Sequence, residues 1–217
     1  KKLGPKTRVV VPVDLFGLCA DVPAIREVLR EAGRDDVFVL EDAAEAFGSA
    51  LDGVKAGALG DAGVFSFYGN KTVTTGEGGM VTTSRVELAD RVRFLKNHGM
   101  SAEKRYFHPE LGFNYRMTNL QAAVGLAQLE AAGELVARKM RVHARYRERF
   151  AGVDGVHLQA VPRGHTFAPW LTTVVDDALS GEEERDAMME RLRARGIDSR
   201  PMFYPNHLLP AFASEPS

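Results

Sequence analysis

The chain has 217 residues, and 28 Lys and Arg against 29 Asp and Glu leave a formal charge of −1, which offers no basic footprint for coating nucleic acid. Apolar residues at 45% and charged residues at 26% exclude a disordered or fibrous chain. One cysteine, Cys19, cannot form an intramolecular disulfide, and no run of about 18 apolar residues exists to span a bilayer, so a soluble protein of a reducing, cytoplasmic compartment without a membrane partner is expected.

The first residues, Lys1-Lys2-Leu3-Gly4-Pro5, carry neither Met nor a signal pattern and run almost at once into a strand-like segment, as expected of a chain cut inside a fold. Arg8 to Val13 is β-branched without polar alternation, the pattern of a strand covered on both faces. Asp21 caps a predicted helix that presents Val22, Ile25, Val28, Leu29 and Ala32 on one side and stops at Gly33. Val37 to Leu40, Ala62 to Tyr68 and Met80 to Thr83 are three further buried runs. Ser84 with Glu87 reads as a capping box for a helix through Lys96, and Thr118 with Gln121 as a second for a helical stretch to about Phe150, with Gly133 as a break. The basic segment Arg138-Lys139-Met140-Arg141, continued by Arg145, Arg147 and Arg149, reads as a solvated helix face or an RNA contact, and the balanced total charge favours the former.

A strand at Trp170 to Val175, a helix started by Ser180 and Glu183 and followed by Gly196, and a strand at Ile197 to Phe203 complete the pattern. Strands alternating with helices indicate an α/β fold with a mostly parallel sheet. Residues 1–150 read as a large domain ending in a long connecting helix, and residues 151–217 as a smaller C-terminal α/β lobe.

Ligands of such sheets bind beyond the carboxyl ends of the strands, where two polar pairs follow buried runs here: Glu41-Asp42 and Asn70-Lys71. A carboxylate and a desolvated lysine at neighbouring strand ends can bracket one planar ring, holding a pyridinium nitrogen protonated and forming a Schiff base with an aldehyde, which is pyridoxal phosphate (PLP) chemistry. Each residue also has an ordinary structural reading: Asp42 as a cap acid, Lys71 as a surface lysine, Ser66 as a satisfied core hydroxyl. The glycines around Lys71, Gly69 and Gly76-Glu77-Gly78-Gly79, let backbone approach a ligand closely. Other cofactor motifs fit worse. Gly76 to Gly79 precedes a strand where a dinucleotide fingerprint must follow one, Lys71-Thr72 lacks the P-loop glycine, and the six histidines show no metal-ligand spacing.

In series, Glu41-Asp42-Ala43-Ala44-Glu45-Ala46, Gly60 to Phe67, Gly69 to Gly79, Lys96-Asn97-His98-Gly99 and Gly112 to Asn119 resemble the DegT/DnrJ/EryC1/StrS sugar aminotransferases. The resemblance implies a fold-type-I, aspartate aminotransferase-like PLP-dependent transferase. It also implies that the family's N-terminal part, with its phosphate loop and a ring-stacking aromatic, has no counterpart in these residues. By the same resemblance, Lys71 is the Schiff-base lysine and the acid/base that moves the substrate proton. Asp42 pairs with the pyridine nitrogen, Glu45 lies near the ring hydroxyl, and Ser66 binds the cofactor phosphate. Asn114 reaches the phosphate held by the partner subunit of a homodimer with shared active sites, and Arg200, Tyr204 and His207 contact substrate. Lysine at position 71 separates the chain from relatives that carry histidine there and dehydrate their substrate instead.

The implied reaction moves an amino group from L-glutamate to a nucleotide-linked 4-keto-6-deoxy sugar, GDP-4-keto-6-deoxymannose above others, in deoxyaminosugar and polysaccharide biosynthesis. No metal and no nucleic acid enter it. Three alternatives stay open: a 3-aminotransferase on another nucleotide sugar, a non-catalytic fragment or remnant of such an enzyme, and a lysine Schiff-base enzyme without PLP.

Overall fold

The computed structural model describes residues 3–212; Lys1 and Lys2, where the sequence reading begins, and residues 213–217, where the predicted lobe ends, lie outside the described residues. The chain divides into two compact units, Lys1–Arg149 with Ala160–Thr172, and Phe150–Gln159 with Thr173–Ser217. Among the described residues no helix is long and apolar enough to cross a membrane.

The first unit is built on a four-stranded sheet. Its strands β1 (Val9–Val10), β2 (Phe38–Asp42), β5 (Ala62–Ser66) and β6 (Gly79–Thr82) lie in the order β1-β2-β5-β6. The first three are parallel, with Val9 opposite Phe38 and Asp42 opposite Val64, while β6 runs antiparallel to β5. The predicted strand at Arg8 to Val13 survives only as β1 and an isolated bridge from Val13 to Asp42. Pro12 interrupts it, because proline has no N–H to give a ladder, although its carbonyl still accepts from Asp42 N at 2.9 Å.

Helix α1 (Val22–Glu31) crosses between β1 and β2. The Asp21 side chain accepts from Ala24 N at 2.9 Å, and Gly33, at φ +63, lies just past the end, as the sequence predicts. Val22 and Leu29 are buried against Val37 and Val39, with Val10, Ile25 and Leu59 packed around them. Burial of such side chains contributes about 1.5–3 kcal/mol each, so this helix is held by its apolar stripe more than by propensity. Val28 and Ala32 leave that stripe; Val28 is 55% exposed.

Between β2 and β5 the chain makes a hairpin that the sequence reading passes over: β3 (Ala50–Leu51) and β4 (Val54–Lys55) close around Asp52 and Gly53, at φ 47 and 82. Asp-Gly is the pair that such a turn requires, so the signal is present in the sequence. β8 (His165–Thr166) adds to the other edge of β3.

After β6 comes α2 (Val86–Lys96), whose N-cap is Arg85 with no side-chain hydrogen bond, so the predicted Ser84 and Glu87 box does not form. Thr83 Oγ1 instead accepts from Arg85 N at 3.1 Å. The Thr118 and Gln121 box does form, with both reciprocal bonds, and opens α3 (Asn119–Glu130). The break before α4 (Ala132–Phe150) falls at Ala131, two residues ahead of Gly133.

In the second unit β7 (Val156–Leu158) pairs antiparallel with β9 (Val174–Asp176), followed by α5 (Glu182–Arg193). Only the end of the predicted Trp170 to Val175 strand is extended, because Trp170 belongs to the first unit and its N–H goes to Phe16 O at 3.1 Å. Ser180 partners Glu184 in place of Glu183, and the helix cap is Gly181. Ile197 to Phe203 forms no strand; Ile197 N closes the helix end on Leu192 O, and Pro201 cannot donate to a ladder.

Candidate active site

Strand β2 alternates in burial, so Val39 and Glu41 point to one face while Leu40 and Asp42 point to the other. The adjacent acids that look alike in sequence are thereby separated. Asp42, half-buried at the carboxyl end of β2, fixes its own side chain by accepting from Ala44 N at 3.1 Å. Ser66 ends the neighbouring parallel strand β5, where its hydroxyl accepts from Tyr68 N at 3.3 Å.

Lys71 sits in the loop that joins β5 to β6. That loop is pinned at its neck by Phe67 N to Gly78 O and Thr75 N to Phe67 O, both 2.9 Å, and at its root by Val73, which is 1% exposed. Its own N–H bonds Tyr68 O at 3.0 Å, so the turn carrying the amine is tied on both sides. The loop explains why β5 stops at Ser66 and not at Tyr68: Phe67 has already left the ladder for the turn.

Nζ of Lys71 lies 3.5 Å from Glu45 Oε1, with side-chain exposures of 13% and 9%. The second Glu45 oxygen, Oε2, accepts from Phe16 N at 2.8 Å. Nζ also stands over the Trp170 ring, 3.8 Å from its centroid. The amine is thus held between a carboxylate and an indole face in a setting with little water, where charge attractions are stronger than at the surface. Trp170, which lies 99 residues later than Lys71, could not have been paired with it by any spacing rule.

Beneath this layer lies a second carboxyl pair that sequence reasoning missed in part. Glu41, fully buried, accepts from Gly57 N at 2.7 Å, Leu59 N at 2.9 Å and Gly60 N at 3.3 Å. Asp14 is also fully buried; its Oδ1 accepts from Ala20 N at 2.8 Å, while Oδ2 finds no donor. Burial, with Glu41 and Asp42 nearby, pushes the Asp14 carboxyl up to about 8, well above the usual carboxylate range. The same surroundings push the buried Cys19 thiol up to about 12.

Asn114 is exposed in a bridge to Asn97, and its two chain neighbours, Phe113 and Tyr115, stack on each other with centroids 5.1 Å apart. Arg200, Tyr204 and His207 belong to the second unit, where Tyr204 Oη donates to Glu182 Oε1 at 2.9 Å. No group of three or more metal-ligating side chains occurs among the described residues.

The chain as a whole has clear counterparts among known proteins. The DegT/DnrJ/EryC1/StrS aminotransferase family matches across residues 1–217. The chain belongs to this family. The GDP-perosamine synthase of Caulobacter vibrioides is 45% identical over 214 residues, 96% of this chain and 56% of that protein. The GDP-perosamine synthase of Vibrio cholerae is 41% identical over 213 residues, 98% and 56% of the two chains. Among solved structures, the sugar aminotransferase-like Spr1654 of Streptococcus pneumoniae in its PLP form superposes with a TM-score of 0.88 at 27% identity, over 96% of this chain and 57% of that one. Spr1654 is also known in a PMP form. The chain therefore spans a little over half the length of the relatives it matches.

PLP is the cofactor of this DegT/DnrJ/EryC1/StrS family, and the residues present suit it. The chain has a lysine amine with little solvent, an acid at the adjacent strand end with one oxygen already tied to backbone, and a serine hydroxyl at the end of the next strand.

Proposed function

We propose that the chain carries the lysine-bearing part of a PLP-dependent nucleotide-sugar aminotransferase, with L-glutamate as amino donor and GDP-4-keto-6-deoxymannose as acceptor, giving GDP-perosamine. The observation that carries this reading is the Lys71 amine, held at low exposure between Trp170 and Glu45, three residues beyond Asp42 at the end of β2. The choice of sugar is supported by the 45% and 41% identities to GDP-perosamine synthases.

In this reading Lys71 is the residue that would hold the cofactor through its aldehyde carbon, and its free amine would give and take the substrate proton. Bound PLP supplies the electron sink for the charge left on the carbon next to nitrogen. Asp42 keeps the ring nitrogen protonated through the carboxylate oxygen that Ala44 N leaves free. Glu45 holds the lysine amine and lies toward the ring hydroxyl, and Ser66 takes the phosphate. Asn114, on the exposed Phe113–Tyr115 loop, serves the site of a second copy in a homodimer. Arg200, Tyr204 and His207 contact the nucleotide sugar. The unit of residues 1–149 with 160–172 serves as the large domain of this part and the unit of 150–159 with 173–217 as the small one, so residues 160–172 fall on the other side of the boundary expected near residue 151; the protein works in the cytoplasm.

The test is a panel of GDP-, UDP- and dTDP-linked ketosugars incubated with glutamate, PLP and the chain. Amination of the GDP-linked 4-keto sugar in preference to the others supports the reading. Preference for a 3-keto sugar or for another nucleotide would replace its substrate.

A further inference from the structure

Trp170 is the only tryptophan of the chain, and it is 7% exposed. Each of its polar groups is engaged. Its N–H goes to Phe16 O at 3.1 Å, its Nε1–H to Asn70 O at 2.9 Å, and its carbonyl accepts from Lys139 Nζ at 3.0 Å. Its ring stacks on Phe16, with centroids 6.3 Å apart and planes 12° from parallel. A residue tied at two points by its backbone and at a third by its indole N–H, with its ring stacked on a neighbour, presents a fixed plate. It is tied to Asn70, the residue immediately before Lys71, so plate and amine move as one assembly.

The charged groups that meet this assembly are Glu45, 3.5 Å from Lys71 Nζ, and Lys139, which reaches the Trp170 carbonyl from α4. The cation that stands on the ring face is Lys71. An aromatic face attracts an ammonium, tryptophan most strongly of the three aromatic residues. That attraction is strongest for the free lysine. When Nζ joins an aldehyde carbon, a C=N bond forms, the carbonyl oxygen leaves as water with two of the ammonium protons, and the remaining charge is spread over a planar C=N–H group in place of a compact ammonium. A group that attracts the free ammonium more strongly shifts the balance toward the released lysine, by its differential interaction with the two states.

We propose that Trp170 is a positioning residue that parks the Lys71 ammonium on its indole face whenever the lysine is not joined to the cofactor, and so favours its release. This rests on the reading of Lys71 as the cofactor-joining lysine. It gives the released lysine a fixed place from which to act as acid and base.

Three measurements test it. First, the single tryptophan reports directly on the pairing: Lys71→Met removes the quenching ammonium, so emission of the cofactor-free chain brightens. Equal emission from the two proteins would overturn the proposal. Second, dissociation constants for PLP, which joins a lysine, and for pyridoxamine phosphate, which does not, are compared in wild type, Trp170→Phe and Trp170→Leu. Losing the face tightens PLP relative to pyridoxamine phosphate by roughly two- to tenfold in Trp170→Leu, and by less in Trp170→Phe, which keeps a weaker face. An unchanged ratio, or equal weakening of both ligands, would mark Trp170 as merely structural and overturn the proposal; if Trp170→Leu does not fold, Trp170→Phe and the emission decide. Third, borohydride reduction of the wild type with PLP separates the two failures. An adduct on Lys71 with an unchanged ratio sinks this proposal alone, whereas no adduct on Lys71 sinks the functional reading and this proposal with it.

Discussion

Glu45 divides its carboxylate between Lys71 and the backbone of Phe16: one oxygen lies 3.5 Å from the amine and the other accepts the Phe16 N–H at 2.8 Å. Phe16 has φ 55, in the left-handed region that costs a residue with a Cβ about 1–2 kcal/mol, and this bond helps hold it there. Glu45→Ala removes the acceptor and is expected to lower unfolding free energy by about 1–3 kcal/mol. Glu45→Gln keeps an acceptor for Phe16 and is expected to lose less than half as much, although its amide opposes the Lys71 ammonium with N–H groups. Urea unfolding of the two variants beside wild type checks this; equal losses would mean that the Phe16 bond is not what Glu45 contributes.

The buried Asp14 and Glu41 pair makes stability depend on pH in a set direction. Asp14 has an unfolded value near 3.8 and is raised to about 8 in the fold, so between those values the folded chain binds a proton that the unfolded chain has lost. Its contribution is therefore fully present below about pH 4 and is lost as pH rises toward 8. Asp14→Asn keeps a donor toward Glu41 and an acceptor for Ala20 N without any proton to lose. It is expected to raise stability at pH 8 by at least about 1 kcal/mol, or roughly 2–4 °C in Tm, and to flatten the decline between pH 5 and pH 8. Thermal unfolding across that range measures both.

Cys19 is 3% exposed and its thiol is pushed up to about 12 by burial and by Asp14. The thiolate is the reactive form, so the native protein is expected to show no reaction with a disulfide reagent at pH 8, and one thiol per chain after denaturation. Rapid native labelling would mean that the core formed by Cys19, Ala43, Ala46 and Leu51 opens readily.

Two glycines with the same positive φ separate strain from packing. Gly53 and Gly57 both have φ +82, but a Cβ at Gly53 meets nothing within 4 Å, whereas at Gly57 it would lie 2.3 Å from the Phe65 ring. Gly57 also donates to Glu41. Gly53→Ala is expected to cost about 1–2 kcal/mol, the left-handed penalty alone. Gly57→Ala is expected to cost at least about 2 kcal/mol more, since overpacking adds to it. Chemical denaturation of the pair gives the difference directly.

Much of the first unit was legible because the signals are local. The Asp21 cap, the Thr118 and Gln121 box and the apolar runs of β2 and β5 each follow from a few adjacent residues, and the strand ends they define carry Asp42 and Ser66, with Lys71 on the loop that follows. What misled was also local: Pro12 breaks an apolar run that reads as one strand, and Ser84 stands where Thr83 does the bonding. The environment of Lys71 was not legible. Phe16, Glu45 and Trp170 converge from three distant segments, and only the folded sheet brings Trp170 to an amine 99 positions earlier. Asp14 was missed for the same reason, since a lone acid after a short strand gives no sign that it will be buried against Glu41.

Among the described residues Lys139 is the alternative amine nucleophile, because burial lowers its proton affinity and its Nζ already reaches Trp170 O at 3.0 Å. The most direct measurement of the central claim is therefore borohydride reduction of the chain with PLP, followed by peptide mapping. The account predicts one phosphopyridoxyl group per chain, on Lys71, and none in Lys71→Ala. Labelling of Lys139 or another lysine, or no label on folded wild-type chain saturated with PLP, would contradict it.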